Sequence, residues 1–278
     1  MAVRGAPSGT DTGDAVEAES LDLAVGDLRL AARWLRPANG RSEPPLVFLH
    51  EALGSIGQWK AFPERLAAAC GLPALIYERQ GHGGSSPLDR PRENGYLRHE
   101  ARQVLPAVLA AAGIERPVLV GHSDGATIAL MFAAAFPEAI SACIVLAPHV
   151  MVEAVTLAGI READAEPGAT ALRARLARYH GDQTEALWRA WAETWLRPGF
   201  DGCEMRADLE RITAPVLVIQ GADDAYGSPA QVEEIARRVS GPVETPLIPG
   251  CGHAPHLERQ TEVLAAIAGS AAVPMPGR

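Results

Sequence analysis

Cysteine is scarce in this chain, and its spacing suits neither a metal site nor a redox motif. No C-x-x-C pair is formed by Cys70, Cys143, Cys203 and Cys251. The zinc motif H-E-x-x-H is also missing, because Gly54 occupies the place of its second histidine. The sequence therefore predicts reduced thiols, no metal site and no cofactor held by cysteine.

Long apolar segments and an excess of basic residues are also missing. No stretch reaches the roughly 18 apolar residues of a membrane span, and the N-terminus lacks the apolar run of a signal peptide. Lysine occurs once, and the net charge is -9 at pH 7. Because such a chain offers no basic surface to nucleic acid or anionic lipid, we expect a cytoplasmic protein with neither partner.

The order of apolar segments indicates the fold class. With 278 residues, of which 47% are apolar, the chain can bury one large core. Short continuous apolar runs alternate with helical segments, as in strands that are covered on both faces. This pattern predicts an α/β protein with a mainly parallel sheet flanked by helices. An antiparallel hairpin, 21–25 with 28–35, is expected to open the sheet.

The alternation is interrupted once, between about His149 and Leu209. Helical material without a strand run in this segment predicts an inserted cap over the C-terminal edge of the sheet. We therefore expect a flexible tail at 1–20, a core formed by 21–148 and 210–270, a helical cap at 149–209 and a C-terminal tail at 271–278.

A candidate nucleophile follows one of the predicted strands. The segment from Gly121 to Gly125 reads G-H-S-D-G and fits G-x-S-x-G, in which small residues let a serine occupy a sharp turn between strand and helix. A strand run precedes Ser123, and a helical segment follows it. Backbone N–H groups at the start of that helix could stabilise an oxyanion. The alternative is that Ser123 only caps the helix.

A serine hydroxyl needs a base, and the base needs a carboxylate that orients it. With this motif the order along the chain is serine, acid, histidine, and the last two follow later strands. Asp223 and Asp224 follow the run 216–219, and His253 follows the run 243–248 in a glycine-flanked loop. His256 is the alternative base.

In combination these motifs resemble the α/β-hydrolase superfamily, in its cap-bearing branch of serine esterases and C–C hydrolases, over roughly residues 28–268. The resemblance implies the α/β-hydrolase fold with an eight-stranded sheet, and a reaction that needs no cofactor. The family's G-x-x-D loop selects Asp224, and its G-H-x-x-x-x-E pattern selects His253.

The resemblance also implies an oxyanion hole formed by two backbone N–H groups, those of Asp124 and Ala52. Ala52 lies in the loop H-E-A-L-G-S, which is similar to the family's H-G-x-x-G-S. Glu51 stands where the family has glycine, and it would be strained if that position required positive φ.

The segment 78–85, E-R-Q-G-H-G-G-S, resembles the family's D-x-R-G-x-G-x-S turn. It misses G-x-G-x-x-G and lacks the lysine of a P-loop, so nucleotide binding is not supported. We expect a structural turn that packs behind the active site.

The predicted cap holds three of the five tryptophans, Trp188, Trp191 and Trp195, on one helical face. Such a stripe either packs the cap onto the core or lines the substrate pocket. His149 is expected near the cap entrance, where it could meet substrate or remain a solvated loop histidine. The apolar roof predicts a small apolar or aromatic ester-like substrate.

These observations favour hydrolysis of a small or medium carboxylic ester through an acyl-enzyme. The alternatives are C–C hydrolysis of aromatic ring-cleavage products, thioester or lactone hydrolysis, and a binding protein that keeps the fold without catalysis. The oligomeric state is left open between monomer and homodimer.

Overall fold

The computed structural model describes residues 15–38, 40–41 and 44–273. In this part of the chain a nine-stranded sheet has the order β1-β2-β4-β3-β5-β6-β7-β8. Strand β9 also pairs with β7, nearer the C-terminal end of β7 than β8 does. The strands are β1 Val16–Val25, β2 Leu28–Pro37, β3 Leu46–Leu49, β4 Ala74–Tyr77, β5 Val118–His122, β6 Ala142–Leu146, β7 Val216–Gly221, β8 Val243–Glu244 and β9 Leu247–Ile248.

Helices cover both faces of the sheet. Among the described residues, none of them has the length and hydropathy that a membrane-spanning helix requires. A π-helical turn at Glu100–Val104 joins α2 to α3. The helices are α1 Phe62–Cys70, α2 Tyr96–His99, α3 Leu105–Ala112, α4 Asp124–Ala135, α5 Ala154–Asp164, α6 Gly168–His180, α7 Thr184–Trp195, α8 Pro229–Arg238, α9 Pro255–Glu258 and α10 Gln260–Gly269.

The central strands are the continuous apolar runs of the sequence. Every residue of β3, β4, β5 and β6 is buried, which is the burial expected of a sheet with helices on both faces. The pairings β1–β2 and β2–β4 are antiparallel, and the remaining pairings of the sheet are parallel. Strand β5 lies between β3 and β6. The predicted mainly parallel α/β fold is confirmed.

The hairpin is longer than expected, and the predicted tails are too long. Val16 pairs with Pro37, so β1 begins inside the segment 1–20 that the sequence assigned to a tail. At the other end, Ala272 and Val273 are buried against the core cluster that contains Val263. Backbone pairing and apolar burial therefore order both segments. The remaining residues of the predicted tails, 1–14 and 274–278, lie outside the described residues.

The last predicted strand, 243–248, is divided into β8 and β9. Both pair with β7, so the expected eight strands become nine. Pro246 stands between the two and has no N–H to donate to a ladder. Its carbonyl instead accepts the backbone N–H of Gln220 at 3.3 Å.

The segment between β6 and β7 carries three helices, α5 to α7, and no strand in the part of the chain described. A line of buried hydrogen bonds ties this helical segment to the rest of the protein. Trp195 Nε1 of α7 donates to the hydroxyl of Tyr96 at 3.0 Å, and that hydroxyl donates to Asp124 Oδ2 at 2.5 Å. Burial and the nearby charge of Asp124 raise the pKa of Tyr96, so the phenol remains a neutral donor.

We expect Tyr96→Phe to lower the free energy of unfolding by about 1–3 kcal/mol, because it leaves the buried Asp124 carboxylate and Trp195 indole without their partner. Urea denaturation measures the effect. Tyr77→Phe is the matched control, since the Tyr77 hydroxyl is buried with no hydrogen-bond partner among the described residues and its removal should cost little. Equal losses in the two variants would contradict this account.

Candidate active site

Ser123 lies at the sharp turn between β5 and α4. Its backbone has φ 52° and ψ -116°, a combination that is uncommon outside glycine and that is found at strained turns carrying a nucleophile. The turn is held on both sides. The Ser123 N–H donates to the Leu146 carbonyl at 2.9 Å, and the Ser123 carbonyl accepts the Thr127 N–H at 3.0 Å.

The two glycines of the motif are required by close packing of backbone. A Cβ on Gly125 would lie 1.9 Å from the Leu49 carbonyl oxygen, and a Cβ on Gly121 would lie 2.4 Å from the Gly125 carbonyl oxygen. Both obstacles are main-chain atoms, which cannot rotate aside. The absence of these side chains allows the first turn of α4 to press against the end of β3.

The three polar residues that the sequence nominated are brought together. His253 Nε2 lies 3.0 Å from Ser123 Oγ, and His253 Nδ1 lies 2.9 Å from both carboxylate oxygens of Asp224. The Asp224 side chain is 1% exposed and that of His253 is 19% exposed. Ser123 follows β5, Asp224 follows β7 and His253 follows β9, so all three lie at the carboxyl edge of the sheet.

Asp224 is held as a carboxylate by its surroundings. Burial by itself would raise the pKa of this group, but the hydrogen bond and charge of His253 and the backbone N–H of Tyr226 lower it below its ordinary value. Tyr226 N–H donates to Oδ1 at 2.8 Å, and Gln220 Nε2 donates to Oδ2 at 3.3 Å. These donors fix the orientation of the carboxylate.

The two alternatives from the sequence occupy other places. The side chain of Asp223 is exposed, whereas its backbone N–H donates to the Cys251 carbonyl at 2.9 Å. His256 is buried, with ring centroids 4.8 Å from Trp59 and 4.7 Å from His122. Burial and the nearby His253 lower the pKa of His256 to about 3, so this ring packs as a neutral group.

The loop that carries Ala52 is anchored from beneath by Arg79. The Arg79 guanidinium donates to the carbonyls of His50 at 3.2 Å and Glu51 at 2.8 Å. His50 Nε2 accepts the backbone N–H of Arg79 at 3.1 Å, which leaves Nδ1 to donate to the Glu51 carbonyl at 2.8 Å. His82 Nε2 lies 3.0 Å from the Ala52 carbonyl oxygen.

Glu51 itself is not strained. The non-glycine residues with positive φ in the described chain are Lys60, Ser123 and Ala147, so the expected strain at Glu51 is absent. Ala52 and Asp124 border the same cavity as Ser123. Asp124 is the first residue of α4, where a backbone N–H has no partner within the helix.

Arg79 is the residue whose importance the sequence did not show. Its guanidinium lies 3.8 Å from the Asp124 carboxylate, and both side chains are 1% exposed. Arg79 therefore links the loop bearing Ala52 to the helix that begins after Ser123. In the sequence, Arg79 lies in the segment 78–85, from which only a structural turn is predicted.

A cavity of about 200 Å³ opens over Ser123 and is mostly apolar. Trp191 and Trp195 of α7 form part of its roof together with Ile160 of α5. No group of three or more histidine, cysteine, aspartate or glutamate side chains in the described residues is arranged to hold a metal ion.

Trp188 was nominated for the pocket and does not border it. Its indole Nε1 donates to Asp164 Oδ1 at 2.7 Å, and Arg173 lies over its ring at 5.5 Å from the centroid. Trp188 shares a helix face with Trp195, but seven residues place it about 10 Å away along the axis. Trp188 therefore packs against α5 and α6, whereas Trp191 and Trp195 line the cavity.

His149 borders the cavity and is 3% exposed, so it is not a solvated loop histidine. Its ring lies 5.7 Å from that of His253 and 5.5 Å from that of Trp195. Nε2 donates to the Tyr226 carbonyl at 3.0 Å. Burial and the neighbouring His253 lower the pKa of His149, which keeps the ring neutral.

The Gly125→Ala substitution should destabilise the protein by at least about 2 kcal/mol, since the added methyl group collides with main-chain oxygen atoms. Thermal unfolding followed by circular dichroism measures the loss. Gly95→Ala is the control, because its Cβ would meet no atom within 4 Å. Similar melting temperatures for Gly125→Ala and the parent protein would refute the packing argument.

Comparison with known proteins agrees with this architecture. Residues 46–267 match the model of the alpha/beta hydrolase family. RutD of Klebsiella pneumoniae strain 342, a protein named as a carbamate hydrolase, is 30% identical over 235 residues, which cover 76% of this chain and 85% of RutD.

Two solved structures show similarity of fold. A serine hydrolase of the polyaromatic hydrocarbon-degrading bacterium Cycloclasticus zankles superposes with TM-score 0.74 at 15% identity, covering 91% of this chain and 97% of the other. The 2-hydroxy-6-oxo-6-phenylhexa-2,4-dienoate hydrolase of Rhodococcus sp. strain RHA1 gives TM-score 0.72 at 18% identity, with 91% and 98% covered.

Proposed function

Because this chain belongs to the alpha/beta hydrolase family, we propose that it is a serine hydrolase that cleaves a small or medium carboxylic ester through an acyl-enzyme. The observation that carries the proposal is the hydrogen-bonded line from Asp224 through His253 to Ser123 Oγ. A hydroxyl in contact with an oriented neutral imidazole can be deprotonated as it attacks a carbonyl carbon.

The acylation step follows from this geometry. Ser123 Oγ forms a bond to the ester carbonyl carbon while its proton passes to His253 Nε2. Asp224 accepts the hydrogen bond from His253 Nδ1–H and stabilises the imidazolium that results. The carbonyl oxygen becomes an oxyanion, which the backbone N–H groups of Ala52 and Asp124 stabilise.

The intermediate then collapses and the acyl group is released by water. The bond to the alcohol oxygen breaks, and His253 gives that oxygen the proton taken from Ser123. Water, deprotonated by the same imidazole, attacks the acyl-enzyme carbonyl, and Ser123 leaves with its proton restored. The sequence of steps balances without a cofactor.

The dimensions of the cavity support a small or medium acyl group. Its volume of about 200 Å³ lies below the range that holds drug-sized ligands. The apolar side chains of Ile160, Trp191 and Trp195 favour an aliphatic or aromatic acyl group over a charged one. Carbamate hydrolysis is a second candidate, favoured by the similarity to RutD over most of the chain.

Labelling with a fluorophosphonate probe tests the nucleophile. We expect the protein to be labelled and to hydrolyse 4-nitrophenyl butyrate, and we expect Ser123→Ala to lose both properties. A folded protein that neither reacts with the probe nor cleaves activated esters would instead be a binding protein with this fold. Labelling that persists in Ser123→Ala would contradict the assignment of the nucleophile.

Paired aspartate variants test the acid. Asp224→Asn should lower kcat by roughly 10³–10⁴-fold, because the amide no longer stabilises the imidazolium or its tautomer. Asp223→Asn, one residue away on an exposed side chain, should stay within about twofold of the parent enzyme. Steady-state hydrolysis of 4-nitrophenyl butyrate provides the comparison, and similar losses in both variants would overturn the role of Asp224.

A matched substrate panel tests the bond that is cleaved. We expect 4-nitrophenyl butyrate to be hydrolysed faster than a 4-nitrophenyl carbamate and faster than a dienol ring-cleavage product. Faster cleavage of the carbamate would establish the second candidate. Preference for the dienol would establish C–C hydrolysis in place of ester hydrolysis.

A further inference from the structure

The mechanism above does not use Glu51, although its carboxyl group lies in the site. Glu51 stands between His50 and the oxyanion residue Ala52, and it borders two cavities, the catalytic one and a second of about 270 Å³. Its Oε2 atom is buried without a hydrogen-bond partner in the described part of the chain. A buried carboxyl oxygen without a hydrogen-bond partner is costly in the free enzyme. A ligand that hydrogen-bonds to the carboxyl group would remove that cost.

The position of this carboxyl group is set by close contacts. The backbone N–H of Leu53 hydrogen-bonds to the carboxyl group, and a Cβ on Gly54 would lie 2.7 Å from Oε2. The glycine at position 54 thus leaves the space that the carboxyl group fills. The carboxyl group of Glu51 therefore packs against Gly54 at the border of the second cavity.

Four ionisable groups from neighbouring elements act on Glu51: His253, Arg79, Asp124 and Tyr226. Burial raises the pKa of Glu51 to about 7, although electrostatic interactions with His253 and Arg79 lower it. The group therefore carries a proton in a substantial fraction of molecules at neutral pH.

The second cavity adjoins the catalytic one, and both are bordered by Glu51, Gln58, Leu172 and Leu176. Its lining also includes three cationic side chains, and Glu51 is the one acid in the lining that the structure describes. The cations are exposed, and no carboxylate of the described residues forms an ion pair with them. They are Lys60, Arg175 and Arg178.

We propose that Glu51 is a substrate-contacting residue that acts as a neutral acid, donating a hydrogen bond from its carboxyl group to an acceptor oxygen on the part of the ester that occupies the second cavity. The preferred substrates are then esters that carry a carboxylate or carbonyl group on the part that enters the second cavity. This inference rests on the proposed function. Glu51 keeps its proton throughout, and proton transfer remains with His253.

Two features of the site bear on the charge of the substrate. A carboxylate adjacent to Ala52 would oppose the negative charge that develops on the substrate carbonyl oxygen. An ionised Glu51 would suit a cationic substrate, but Lys60, Arg175 and Arg178 at the second cavity repel one. Both features favour a substrate with acceptor oxygens.

The test compares two acetate esters, 4-acetoxybenzoate with its carboxylate and phenyl acetate without it, across pH 5.5 to 9. In the parent enzyme we expect the ratio of kcat/KM values to favour 4-acetoxybenzoate, and to fall as pH rises through about 7 and Glu51 ionises. Glu51→Gln keeps a donor that cannot ionise, so it should retain the preference and lose this pH dependence. Glu51→Ala should reduce the preference about tenfold.

The exposed Glu138→Gln variant is the control, and it should reproduce the parent profile. If Glu51→Gln loses the preference as Glu51→Ala does, the carboxyl group is not acting as a donor and the proposal fails. The proposal also fails if the parent enzyme prefers acetylcholine and Glu51→Gln loses that preference, because the group would then act as an anion. If the parent enzyme hydrolyses phenyl acetate and Ser123→Ala does not, the proposed function stands even when this proposal fails.

A stability measurement checks the ionisation of Glu51 independently of catalysis. Because the folded state raises the pKa of this acid, its contribution to stability is present at low pH and is lost as pH rises through about 7. The Tm of Glu51→Gln minus the Tm of the parent protein should therefore increase by roughly 3 °C or more between pH 5.5 and pH 8.5. A constant difference in Tm would show that Glu51 does not titrate in this range and would overturn the neutral-acid proposal.

Discussion

The contact between the first turn of α4 and the end of β3 is the constraint on which the site depends. It requires Gly125 to approach the Leu49 carbonyl more closely than any side chain allows. That approach brings the helix start at Asp124 beside the loop that follows β3, so the two proposed oxyanion donors border one cavity. The strained φ of Ser123 is the local cost of the same arrangement.

A buried cation stabilises this junction. Arg79 contacts the carbonyls of the loop and lies near the carboxylate of Asp124, where nearly all water is excluded. A single buried charge would be costly, but this one donates to two carbonyls and lies 3.8 Å from a carboxylate. The same carboxylate accepts the Tyr96 hydroxyl, which accepts the indole N–H of Trp195. Helix α7 and the loop that follows β3 are therefore joined by one buried series of contacts.

The site combines an apolar cavity with one unusual acid. Glu51 stands beside the proposed oxyanion residue Ala52, without the backbone strain that the family resemblance predicted. Burial raises the pKa of Glu51 to about 7. A side chain that would repel an oxyanion as a carboxylate can therefore serve as a hydrogen-bond donor in its protonated form. The proposed oxyanion donor Ala52 and the proposed selectivity residue Glu51 are thus adjacent in the chain.

Much of the fold and of the candidate site could be predicted from the sequence. Continuous apolar runs indicated the buried parallel strands, and the loops after them indicated Ser123, Asp224 and His253, because local pattern and chain order carry that information. The extent of β1 from Val16 could not be predicted, since pairing with β2 and not local composition orders it.

Other assignments depended on the packed molecule. The sequence by itself determined which residue types follow which strands, and thereby the candidates for nucleophile, base and acid. Only the tertiary structure decided that Trp188 faces α5 while Trp195 meets the cavity, and that Arg79 contacts Glu51 in the loop after β3. Burial, close approach and the pKa shift of Glu51 arise from residues distant along the chain, and such contacts exist only after folding.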